Sequence, residues 1–137
     1  MDNSFDYTKV NEIDLPKIID ERGNLSFIEA PSNIPFEIKR VYWIYDVPGG
    51  EKRGGHAYKN LYELIIAISG SFDVTIDTGK EIKKFTLNRS YKGVYIPKMV
   101  WRSLDNFSTN SLCLILASNA FDQEDYIRDY NEFKSLI

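Results

Sequence analysis

The spacing of turns constrains this chain more than any other feature. Turn-forming clusters recur at short intervals, and the runs between them are rich in β-branched and aromatic residues. That pattern predicts an all-β sandwich or barrel. "ERGNLSFIEA" sets a turn at Arg22-Gly23-Asn24 ahead of a strand. "IKRVYWIYDV" reads as a strand that breaks at Pro48-Gly49-Gly50, and "LYELIIAIS" as one covered on both faces. In "SGSFDVTID", Phe72, Val74 and Ile76 fall on one face, and Asp73, Thr75 and Asp77 on the other. Asp77-Thr78-Gly79-Lys80 then forms a hairpin loop and "EIKKFTLN" pairs back, while "GVYIP" and "SLCLILAS" supply two more core strands.

The period changes at the end of the chain. "DQEDYIRDYNEFKSLI" places Tyr126, Ile127, Tyr130, Phe133 and Ile137 at helical spacing, with Asp122 as an N-cap. The expectation is one terminal amphipathic helix laid on a β-barrel, the whole forming a single domain over residues 1–137.

Composition narrows the function. Seventeen basic residues against 20 acidic ones, with no basic block, argue against a nucleic-acid binder. The polar, acidic start "MDNSFDYTKVNEIDL" lacks the marks of a signal peptide, and no apolar run is long enough to span a bilayer. Cys113, the single cysteine, sits in an apolar run and reads as a buried, inert thiol. A cytoplasmic location is expected. Aromatics make up 14% of the residues, which suits a β-rich interior or a flat-walled ligand pocket.

The only histidine, His56, lies in "RGGHAYKNLYELIIAISG". Gly50, five residues, His56-Ala57-Tyr58, four residues, Glu63, six residues and Gly70 reproduce the spacing of the first cupin motif. "PKMVWRSLDN" follows the second motif at Pro97, Met99, Arg102 and Asn106. The chain thus resembles the cupin family, which implies a double-stranded β-helix, or jelly-roll barrel. Two ligand positions and one glycine position depart from the pattern. Tyr58 and Arg102 stand where metal cupins have histidines, and Met99 replaces a glycine. A fixed positive charge at Arg102 opposes a bound cation, so no metal and no cofactor are expected.

A narrower resemblance covers nearly the whole chain. "IIDERGNLSFIEA", "IPFEIKRVYWIYDVPGGEKRGGHAYK", "AISGSFDVTIDTG" and "NAFDQEDYIRDYNEF" look like the metal-free sugar-nucleotide 3,4-ketoisomerases. The resemblance implies a homodimer acting on dTDP-4-keto-6-deoxyglucose and moving its keto group from C4 to C3. The product would feed 3-amino-3,6-dideoxysugars for surface polysaccharides.

Such a reaction passes through an enediol. It needs a base at C3, a polar shuttle between the oxygens, and cations or hydrogen bonds for the developing charge. His56 is the first candidate for acid/base work, because its unperturbed pKa lies near neutrality. Tyr58, two residues on, shares its strand face and can pass a proton between O3 and O4. Glu63 either accepts a hydrogen bond from His56 or pairs with an arginine. Arg53, beside Gly54-Gly55, suits a diphosphate, with Arg22 and Arg102 as further anion contacts. Tyr42 and Trp101 are candidate ring contacts for thymine or sugar. Lys59 alternates out of phase with His56 and has at most a weak role. A 3,5-epimerase on the same substrate and a non-catalytic sugar-nucleotide-binding cupin remain the alternatives.

Overall fold

Two five-stranded antiparallel sheets face each other, and the alternating runs supply their inner faces. The structure, a computed structural model, describes residues 6–137. The first five residues of the acidic N-terminal stretch lie outside the described residues. In chain order the strands are β1 (Asn11–Asp14), β2 (Lys17–Ile18), β3 (Leu25–Ser26), β4 (Arg40–Tyr45), β5 (Arg53–Tyr58) and β6 (Glu63–Ser69). There follow β7 (Phe72–Asp77), β8 (Ile82–Leu87), β9 (Lys92–Ile96), β10 (Trp101–Asp105), β11 (Leu112–Ala117) and β12 (Tyr126–Ile127), then helix α1 (Tyr130–Leu136).

The first sheet runs β1-β9-β6-β11-β4 and the second β12-β5-β10-β7-β8. This is the expected all-β jelly roll. Its core lies between the sheets, where Phe72, Val74 and Ile76 of β7 meet Ile65, Val94, Ile96 and Ile115. Burying each such side chain stabilises the fold by roughly 1.5–3 kcal/mol. The β7–β8 hairpin closes as anticipated, with Thr78 donating to the Glu81 carbonyl and the Asp77 carboxylate accepting from the Gly79 amide. Gly79 has φ +90°, a conformation glycine adopts without strain.

Two expectations need correction. The strand after Arg22-Gly23-Asn24 is only Leu25–Ser26, part of an exposed two-stranded hairpin with β2. The terminal helix does not start at Asp122. Asp122 caps a single 3-10 turn, Gln123–Asp125, and Tyr126–Ile127 then pair with Tyr58–Ala57 as β12. Asp129 caps the true helix, accepting from the Asn131 and Glu132 amides. Strand pairing with β5 claims residues whose spacing alone suits a helix. A strand that the sequence reading did not assign, Asn11–Asp14, pairs with β9, and Ile13 is its one buried residue.

Candidate active site

Strand β5 brings His56 and Tyr58 to the inner face, and β10 brings Arg102 opposite His56. The pairing of these strands is irregular, because Arg102 aligns with His56 while Leu104 aligns with Arg53. Gly54, at φ +68°, occupies this bulge. A Cβ there would lie 2.0 Å from Arg102 Nη1, so only glycine lets the guanidinium approach the backbone. The Gly-Gly pair therefore works inside the strand.

Arg102 is fully buried. Its Nε donates to Glu63 Oε1 at 2.6 Å and its Nη2 to Oε2 at 3.2 Å, a two-point ion pair. Nη1 donates to the Gly54 carbonyl at 3.0 Å, and Nη2 also to the Tyr42 hydroxyl at 3.1 Å. Burial disfavours the Arg102 cation, but Glu63 more than offsets this and holds its pKa above the usual arginine range. Of the two expected partners, Glu63 has taken the arginine and not His56. The donors do not fit a divalent ion. Glu63 is spent on Arg102, whose own cation stands beside the one histidine, and no cluster of three metal-type ligands occurs among the described residues.

The Tyr42 hydroxyl lies 3.4 Å from that of Tyr58. Burial, then Glu63, pushes the Tyr42 pKa up to about 12, and the same two causes raise Tyr58 further. Both phenols stay protonated at neutral pH. The upward shift disfavours Tyr58 as a base and leaves its hydroxyl able to relay a proton. His56 packs edge-on against Tyr58 at 4.8 Å and near Tyr126 at 5.0 Å. Its pKa falls to about 2, chiefly through burial and then through the Arg102 and Arg128 charges. His56 is accordingly held neutral in the resting site, not half-protonated near pH 7 as its sequence suggests. Its Nε2 is buried and has no hydrogen-bond partner among the described residues.

These groups border a cavity of about 300 Å³. His56, Tyr42 and Arg102 line it together with Arg40, Arg53, Tyr126 and Arg128, and Trp43 of β4 also reaches it. Arg40 stacks 4.4 Å above Tyr42 and Arg128 stacks 4.1 Å above Tyr126. Among the described residues no carboxylate pairs with Arg40, Arg53 or Arg128. Arg40 Nη1 is also buried without a partner. Three uncompensated guanidinium groups converge on one opening. Sequence reasoning missed Arg40, Tyr126 and Arg128, although the "RVY" and "DYIR" segments that carry them stood out.

Two expected residues lie elsewhere. Trp101 alternates with Arg102, so it faces outward and packs on Tyr130 and Phe133 under α1. Arg22 sits on the exposed β2–β3 hairpin, where both Asp20 carboxylate oxygens accept hydrogen bonds from it. Cys113 is buried, and burial pushes its thiol up to about 12, as expected of an inert group.

Residues 8–137 match the family described as "FdtA: WxcM-like, C-terminal". The chain belongs to the FdtA family. A relative, the TDP-4-oxo-6-deoxy-alpha-D-glucose-3,4-oxoisomerase of Aneurinibacillus thermoaerophilus, is 44% identical over 125 residues, covering 91% of this chain and 90% of that protein. The crystal structure of the WlaRB TDP-quinovose 3,4-ketoisomerase of Campylobacter jejuni superimposes with a TM-score of 0.88 at 44% identity, over 92% of this chain and 97% of that one. A single-site variant of the 3,4-ketoisomerase QdtA from Thermoanaerobacterium thermosaccharolyticum, in complex with TDP-4-keto-6-deoxyglucose, gives a TM-score of 0.90 at 36% identity, over 93% and 92% of the chains. The FdtA-family fold is therefore the cupin barrel that the motif spacing implied.

Proposed function

We propose that this chain is a cytoplasmic dTDP-4-keto-6-deoxyglucose 3,4-ketoisomerase. One observation carries the reading: a neutral histidine and a cation-backed phenol share a cavity whose mouth holds three unpaired arginines. The arginines take the diphosphate as forked donors. The hexose then enters beside His56 and Tyr42.

His56 Nε2 removes the C3 proton, which the C4 ketone acidifies. The electron pair forms the C3–C4 double bond, and charge moves onto O4. Tyr42, polarised by the Arg102 guanidinium, donates its proton there. The O3 proton passes through the Tyr58 hydroxyl back to Tyr42. His56 exchanges that proton with solvent and then protonates C4, which leaves a 3-ketone. Each group ends as it began, so the step is a net isomerisation.

Proton NMR of the substrate with the protein in D2O tests this. The expected result is a 3-keto product carrying deuterium at C4. Tyr58→Phe should slow formation about 10–100-fold, since one hydroxyl of the relay is lost while the base remains. Binding without exchange at C3 or C4 would instead establish a sugar-nucleotide binder.

A homodimer fits the surface. Strand β4 is a sheet edge, and its outward residues Val41, Trp43 (56% exposed) and Tyr45 (61% exposed) form an apolar stripe. The β2–β3 hairpin exposes Ile18, Ile19 and Leu25 as well. Packing these surfaces between two copies gives a two-fold interface and offers Arg22 a route to the partner's cavity. Light scattering should give a dimer for the native chain and a monomer for Trp43→Glu. A monomeric native chain would remove both the dimer and the role of Arg22.

A further inference from the structure

The sandwich has two lateral seams, and the site described above occupies only one. At the other, the edge strands β1 and β8 leave a larger cavity of about 640 Å³ that shares no lining residue with the first. Its volume lies within the range of small-molecule sites. The floor is apolar, with Ile76, Phe85 and Val100 buried beneath it. The rim is cationic. Among the described residues, Lys80, Lys83 and Lys98 line the cavity without an ion pair, Lys9 lines it paired with Asp6 at 3.9 Å, and Glu81 is the one carboxylate in the lining. That local excess opposes the net charge of −3 carried by the whole chain.

Lys83 is the informative residue. It pairs in register with Ile76, so it occupies the inner face of β8 ahead of Phe85 and Leu87. β8 is an edge strand and Lys83 is exposed at its open end, whereas the next inner-face positions, Phe85 and Leu87, are buried. The Lys83 ammonium lies 5.0 Å above the Phe85 ring and forms no ion pair among the described residues. Lys98, in the loop between β9 and β10, has none either. The cleft therefore joins an aromatic floor to fixed positive charge at its lip.

We propose that this second seam binds a phosphate-bearing small molecule with a flat ring, of mononucleotide size. The ring covers Phe85, Ile76 and Val100, and the phosphates meet Lys83, Lys98 and Lys80. Charge complementarity commits the cleft to an anion, and the floor selects one with an apolar body.

The test is an amide NMR titration of the full chain with thymidine diphosphate and, separately, inorganic pyrophosphate. Thymidine diphosphate should perturb two separate groups of amides, one around Gly54 and His56 and one around Lys83, Phe85 and Val100. In Lys83→Glu/Lys98→Glu the second group should respond about tenfold more weakly, while the first responds as before. Pyrophosphate should move the cleft amides less than the nucleotide does. The proposal is overturned if the cleft amides stay still at millimolar nucleotide, if their response survives the charge reversal, or if pyrophosphate matches the nucleotide. A failure of the proposed isomerase would appear only in the first group and in turnover.

Discussion

Replacing His56 with asparagine is expected to lower turnover at least about 10³-fold while thymidine diphosphate still binds. The cavity contains one group that is both neutral and unpartnered at physiological pH, and that group is His56. The upward shifts disfavour Tyr42 and Tyr58 as bases. The arginines that would take the diphosphate are untouched by the change, so kcat should fall far more than affinity. The pH profile gives a second readout. With the His56 pKa near 2, the native rate should show no acid limb at pH 6.5, where an exposed histidine would protonate. The same depression couples to stability. Below pH 6.5 the unfolded chain binds a proton at His56 that the native state refuses, so stability falls as pH drops toward 2. The slope is about 1.4 kcal/mol per pH unit, and it should be absent from the asparagine variant. A native acid limb at pH 6.5, or a variant that keeps more than a tenth of the activity, would remove His56 as the base.

How far the sequence discloses such a site depends on which physical term fixes each residue. Strand alternation is local, so β7 and the inward pair His56 and Tyr58 could be read directly. The motif spacing also put Arg102 and Glu63 inside the barrel. Their mutual pairing was harder to see, because it depends on a bulge at Gly54 that no propensity announces. Trp101 was misplaced for want of the same alternation argument that placed Tyr58. Arg40 and Arg128 stayed hidden because they come from β4 and the residue after β12, which meet only in three dimensions. The terminal helix was overextended because Tyr126 and Ile127 satisfy helical spacing and strand pairing equally well, and only β5 decides between them. The His56 titration was misjudged for an electrostatic reason. Burial and two nearby cations act through space and leave no mark on local sequence.

Glu63→Ala should be the most destabilising single change in the site. It strands the Arg102 cation at 1% exposure, and arginine cannot neutralise itself by losing a proton. Removing one partner of a buried pair costs about 3–5 kcal/mol, a large share of the roughly 5–15 kcal/mol that holds a domain together. The midpoint of thermal unfolding should fall by roughly 10–20 °C. Replacing both partners, as Glu63→Leu with Arg102→Met, removes the stranded charge and fills the space with apolar atoms. Stability should then return to within about 2 kcal/mol of the native chain. Turnover should not return, because the Tyr42 hydroxyl loses the Arg102 donor at 3.1 Å that polarises it. The paired result separates two roles for the ion pair. If the double variant recovers both stability and activity, Arg102 and Glu63 only fill the core. If Glu63→Ala unfolds at the native temperature, Arg102 has found another counter-charge and the buried pair does not hold the site together. Recovery of stability alone means that the barrel keeps a charged pair, where apolar residues would fold as well, because the enediolate needs it.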